Sequence, residues 1–111
     1  MPKVFIIGSK IAVSAEGTGE IKLDSPVELD FKGWGITIKS TGAFEIVEIT
    51  DSKGNSYLKG TITGEQLHKM NDAGFLTGLL DIAAKDYRNF KVKDISGATN
   101  IIYIAIVGSV E

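Results

Sequence analysis

No cysteine occurs in this chain. Disulfides and thiolate metal sites are therefore excluded, and the redox state of the compartment stays open. Histidine occurs once, as His68. General base catalysis or zinc binding by one histidine needs convergent partners. Its nearest acids at helical spacing are Glu65 and Asp72. They could form a metal-binding face, but the pattern reads better as a solvated charged surface. Scattered serines and one histidine make no Ser-His-Asp constellation. The expectation is a protein with no enzymatic activity, no cofactor and no metal.

Long hydrophobic runs are also missing. The longest, IIYIAIVG from Ile101, is far short of a membrane span. The opening MPKVFIIGSK stops at Gly8, too short for a signal-peptide core. A soluble chain made in the cytoplasm, with no membrane partner, is expected. Neither charge sign dominates, since the net charge is −2. Nucleic acid is disfavoured as a partner on that ground. Lys85–Lys93 mixes basic and aromatic residues, as a single-strand binding surface can. There the lysines keep to the outward parity, and Asp86 and Asp94 dilute the charge.

What the chain does hold is β-pattern. Its 111 residues and 43% hydrophobic content fit a single globular domain over 1–111. Val4–Ile7 and Ile11–Ala15 are β-type runs around Gly8-Ser9-Lys10. That break reads as a hairpin turn or as a bulge in one long strand. Residues 16–20 read as a loop. Val27–Phe31 alternates, with Val27, Leu29 and Phe31 on one face. Ile36–Lys39 and Phe44–Ile49 are further strands, and Asp51–Asn55 is a turn after which Ser56–Ile62 returns antiparallel. The glycine-spaced Asp51–Asn55 cluster lacks the ligand spacing of a calcium loop. Gly17-Thr18-Gly19 lacks the context of a phosphate cradle.

At Thr63 the period changes. Thr63 and Gln66 fit a capping box, with Leu67 and Met70 on one face of a short helix near 64–72. The stretch 75–84 reads as a short helix followed by irregular chain or a strand over 79–83. Tyr87–Lys93 and Ile101–Val107 complete about eight short strands. The fold expected is mostly β: an antiparallel β-sandwich or jelly-roll-like domain. A weak internal echo links Ile36–Phe44 with Phe90–Thr99, each a strand followed by a Ser/Thr-Gly-Ala turn. Two hairpins of similar turn chemistry would explain it.

Two segments do not alternate with polar residues: Val4-Phe5-Ile6-Ile7 and Ile101–Val107. Strands apolar on both faces must cover both. The spare face lies either under the helical segment or against another subunit. Val4, Phe5, Ile6, Ile7, Ile102, Tyr103, Ile104 and Ile106 are accordingly candidate interface residues. Trp34 joins them. Between Phe31 and Ile36 the apolar parity changes from odd to even, so Trp34 reads as the first inward residue of a new strand, in the core or at an oligomer interface. The alternative is an exposed contact at a hairpin tip.

The segments VELDFKGWGITIKSTGAFEIVEIT and YRNFKVKDISGATNIIYIAIVG resemble small β-sandwich virion proteins of bacteriophages, of the head-decoration, minor capsid and fibre-base type. The shared features are a strand, Gly, strand with Lys, Ser/Thr-Gly turn, strand arrangement and an apolar closing strand. The resemblance covers about half the chain, and the helical stretch 63–84 is not part of it. It implies a structural protein in the virion, made in the host cytoplasm, whose partners are its own copies and other capsid proteins. It transfers no site residue. The competing expectation is a carbohydrate-binding sandwich, in which sugars stack on Trp34, Tyr57 and Tyr103.

Overall fold

The computed structural model describes residues 3–26, 29–72 and 78–110. They form β1 (Lys3–Val13), β2 (Thr18–Asp24), β3 (Phe31–Ser40), β4 (Phe44–Thr50), β5 (Ile62–Thr63), α1 (Gly64–Asp72), β6 (Tyr87–Asp94) and β7 (Asn100–Val110). All strand pairs are antiparallel. Sheet A has the order β1-β7-β3 and sheet B the order β2-β6-β4-β5. The expected β-sandwich is thus what forms, with seven strands among the described residues. Its core lies between the sheets: Ile102, Ile104 and Ile106 of β7 face Ile21 and Leu23 of β2, Phe90 and Val92 of β6, and Ile46 and Ile49 of β4. Full burial of each such side chain stabilises by about 1.5–3 kcal/mol.

Helix α1 starts where the sequence says it should. The Thr63 hydroxyl accepts from the Gln66 N–H at 3.1 Å, and the Gln66 side chain accepts from the Thr63 N–H at 2.9 Å. Leu67 is buried, but Met70 is exposed. The helix packs against β3, β4 and β5, closing one side of the sandwich.

Several expectations are corrected. Gly8-Ser9-Lys10 is neither a turn nor a bulge. β1 runs through it, paired to β7 without a break from Lys3 opposite Val110 to Val13 opposite Asn100. Residues 18–24, not read as a strand, form β2. The return strand over 56–62 shrinks to an isolated bridge between Thr50 and Ser56 and to the two-residue β5. Val27, and residues 75–77 of the ambiguous stretch, lie outside the described residues. Leu29 is exposed and precedes β3. Residues 78–80 form a turn, and Ile82 makes a single bridge to Phe31.

The echo between 36–44 and 90–99 marks crossings between sheets, not hairpins within one. β3 passes to β4, and β6 to β7, each moving from one sheet to the other. The β1–β2 turn crosses at the same end. One buried pair ties all three crossings. The Asp94 carboxylate accepts from the Glu16, Ser96 and Gly97 N–H groups at 2.9, 3.1 and 3.0 Å. It also accepts from the Asn100 amide at 3.0 Å. That amide donates in turn to the carbonyls of Gly42 and Ala43, both at 3.0 Å. Charge-assisted bonds of this kind are about twice as strong as neutral ones.

The parity change at FKGWGI has a specific cause. β3 is one strand with a bulge: Gly33 lies opposite Gly108 and Gly35 opposite Val107, leaving Trp34 without a partner of its own. Trp34 points outward and is 56% exposed. The expected core placement is wrong because the bulge falls on Trp34 itself. Gly33 faces inward, where a Cβ would overlap the Cβ and carbonyl oxygen of Leu80. Gly108 is equally tight against the backbone of Lys32. Gly33 admits the 78–82 segment against the sheet, and Gly108 admits β3 with the Phe31 ring.

Gly33→Ala should therefore cost about 1–3 kcal/mol through overpacking, while Trp34→Ala should stay within about 0.5 kcal/mol of the parent. Urea unfolding of the two variants checks the contrast.

Acid sensitivity follows from the buried carboxylates. Hydrogen bonds from Ser96 and Glu16 hold Asp94 well below the usual carboxylate range. Those from Asn55, Tyr57 and Lys53 lower Asp51 to about 2. Both are depressed relative to an unfolded value of about 3.9. Their stabilisation is complete above that value and is lost as pH falls through it toward the folded one. Denaturation curves should be flat from neutral pH to about 5 and should then decline toward about 2. Asp51→Asn should be less stable at neutral pH and show a shallower acid decline.

Candidate interaction face

β7 is the middle strand of sheet A, so its register places the neighbours on both sides. Its even residues enter the core. Its odd residues from Ile101 to Val107 line the outer surface together with Val4, Ile6, Gly8, Lys10 and Ala12 of β1 and Lys32, Trp34, Thr37 and Lys39 of β3. Reading across the sheet, one row is Lys10, Tyr103 and Lys39, the next Gly8, Ala105 and Thr37, and the next Ile6, Val107 and Gly35 beside Trp34. Val4 is 60% exposed, Ile6 66% and Tyr103 43%. The Lys10 ammonium lies 5.7 Å from the Tyr103 ring centroid. The outward positions of this sheet hold three lysines and no carboxylate.

The outer surface of sheet B is built the other way. Lys91 is set between Glu20 and Glu48, and Lys93 between Thr18 and Glu45. Lys22 lies 4.3 Å from the centroid of the Tyr87 ring. Opposite charges across strands and a polar period of two are what a water-facing sheet requires. The sandwich therefore has one surface patterned for solvent and one that is apolar, aromatic and cationic. Larger contiguous exposed patches of that kind are typical of interaction sites.

The nine residues expected at an interface divide by strand parity. Val4, Ile6, Trp34 and Tyr103 stand on the outer face. Phe5 and Ile7 point inward and are partly buried against the core. Ile102, Ile104 and Ile106 have no exposed surface at all. They are core residues, because even positions of β7 face sheet B. Ile101, Ala105 and Val107 take their place outside; counting parity from the exposed Tyr103 would have found them. Helix α1 does not serve as the cover, since it packs at the β3 and β5 side of the sandwich.

Arg88 and Tyr57 are used within the fold. Arg88 is buried; its guanidinium donates to the carbonyls of Leu79 at 2.9 Å, Asp81 at 2.6 Å and Tyr87 at 3.2 Å. It also stacks 4.4 Å from the Tyr57 ring centroid. The Tyr57 hydroxyl donates to Asp51 at 2.9 Å, and this bond raises its pKa. Tyr57 thus belongs to a clamp away from the face carrying Trp34 and Tyr103. His68 lies 3.8 Å from Asp72, but Glu65 is paired with Lys69 at 3.4 Å and does not converge on the imidazole. Among the described residues no group of three acids or histidines is placed to hold a metal ion. No helix of the described residues is long and apolar enough to cross a membrane.

The chain matches no protein-family model, no curated protein and no solved structure.

The sole tryptophan reports on this face directly. In the isolated protein Trp34 should emit at long wavelength and be quenched freely by acrylamide. A partner that covers the face should shift the emission to the blue and protect it.

Proposed function

We propose that this protein is a non-enzymatic structural and interaction component that works by laying the outer face of sheet A on a protein surface. Its setting is a bacteriophage virion, as a capsid decoration or minor capsid protein. The carrying observation is the contrast between the two outer surfaces of the sandwich. Sheet B spends its outward positions on alternating charge. Sheet A spends them on Val4, Ile6, Trp34, Tyr103 and Val107 with a rim of Lys10, Lys32 and Lys39. Such a face suits a partner with an apolar centre and carboxylates around it. The virion-like segments overlap β3, β4, β6 and β7, which include two of the three strands of this face.

The direct experiment is co-sedimentation with empty shells assembled from the major capsid protein encoded in the same genome. The parent chain should bind, and Trp34→Ala should lose about tenfold or more in affinity, the loss typical of a buried aromatic anchor. Binding should also weaken as salt rises. A chain that ignores the shells, or one whose binding does not depend on Trp34, overturns the reading.

One observation favours a second reading. Trp34 and Tyr103 stand on the same sheet face about four residues apart along β7, or ~13 Å. Two rings so spaced could stack a short oligosaccharide. Protection of Trp34 from quenching by glycans, with none by shells, would favour that reading.

A further inference from the structure

The two edges of sheet A are treated very differently. The β3 edge is blocked by the chain's own segments. Phe31 and Ile82 exchange two backbone hydrogen bonds of 2.8 Å. The Gly33 N–H donates to the Asp81 carboxylate at 3.0 Å, and the Ile36 N–H to the Asn71 side chain at 3.0 Å. At the far edge of sheet B, β5 is only two residues long. The β1 edge has no such cover: among the described residues its only ladder is with β7.

Monomeric proteins guard an open edge with short strands, bulges, proline or inward charges. Of these β1 has only Lys3, a charge on the inward parity at its first residue. It is eleven residues long, its register with β7 is unbroken, and it contains no proline. Phe5, Ile7 and Ile11 point toward the core and are only partly buried there. The strand is also close to self-complementary about its midpoint, Gly8. In an antiparallel pair centred on Gly8, Phe5 stands opposite Ile11, Val4 opposite Ala12 and Ile6 opposite Lys10. Lys3 stands opposite Val13. All eleven residues are paired, and no lysine faces a lysine. Sliding the pair by two residues toward Lys10 would set Lys10 against itself, which costs stability.

We propose that two copies of this chain pair antiparallel through their β1 edges, centred on Gly8, to form a two-fold dimer. The two copies of sheet A then become one six-stranded sheet. Every unpaired backbone group of β1 on that edge gains a partner, as in other cases of strand addition. The outward residues of both copies merge into one apolar surface. This deepens the reading of that surface as the docking face and rests on it for the use made of the merged surface.

The absence of cysteine makes the register directly testable. Opposed residues of an antiparallel pair have Cα atoms about 4.5–5.5 Å apart, within the range a disulfide spans. A Cβ at Gly8 has room, meeting only ordinary contacts with Ala105. Gly8→Cys should cross-link to a covalent dimer under mild oxidation. Val4→Cys and Ala12→Cys should each cross-link poorly alone and well when mixed. A charge series checks the same register in solution. Ile6→Lys sets a lysine opposite Lys10 twice across the two-fold axis and should weaken the dimer roughly tenfold in sedimentation velocity. Ile6→Glu should strengthen it. The parent chain should sediment as a dimer, and circular dichroism should be unchanged in both variants.

A monomeric parent chain overturns the proposal, as does cross-linking that ignores the register or an Ile6 series that does not follow the sign of the charge. Shell binding and sedimentation of the parent chain together separate the two readings. A dimer that does not bind shells refutes the docking face alone, and a monomer that binds them refutes the edge pairing alone.

Discussion

The hydrogen bond between Asp94 and Asn100 is the contact on which the arrangement of the two sheets depends. Asp94 ends a strand of sheet B, and Asn100 begins a strand of sheet A. Three connections cross between the sheets at that end, and backbone groups from all three converge on these two side chains. A buried carboxylate left without donors would be costly. Here the donors come from segments far apart in sequence, so each turn must be in place to satisfy it. The relative position of the sheets, and hence which isoleucines meet in the core, is tied to this one cluster.

That fixed core decides what is left outside. β7 is hydrogen-bonded on both sides, and its inward isoleucines are wholly consumed by packing against sheet B. Its outward residues then have nowhere to go but the surface. A strand apolar on both faces usually has both covered. Among the described residues the one helix is engaged along the side between β3 and β5, stapled to β3 by Asn71. The exposed apolar face is thus a consequence of where the helix was spent.

How much of this was legible varies with the physics of each element. The capping box of Thr63 and Gln66 was readable because it is local: three residues of spacing contain the whole interaction. The sandwich was readable because alternation is also local. β2 was hidden, since Gly19 near its start looks like loop. The glycine is there because Ile11 of β1 packs over it, with a Cβ at that position only 2.6 Å from the Ile11 methyl. That reason lies in another strand. Arg88 and Asp94 were hidden by their charge, although they share the inward parity of Phe90 and Val92. Burial of charge needs partners supplied by tertiary structure, which no window of sequence displays. The outer face was half legible: its strands were evident, but non-alternating runs do not say which residues point which way until the register is known.

Trp34 shows what such a register permits. Gly33 and Gly35 are assigned to consecutive residues of β7, and Trp34 occupies the gap without entering the count. Without it, the strand would read inward at Phe31 and Gly33 and inward again at Ile36, a regular alternation. The residue is therefore supernumerary to the architecture. Its side chain can be exchanged, enlarged or removed in the course of descent while every ladder partner stays where it is. The sheet has, in effect, one position at which recognition can drift independently of folding.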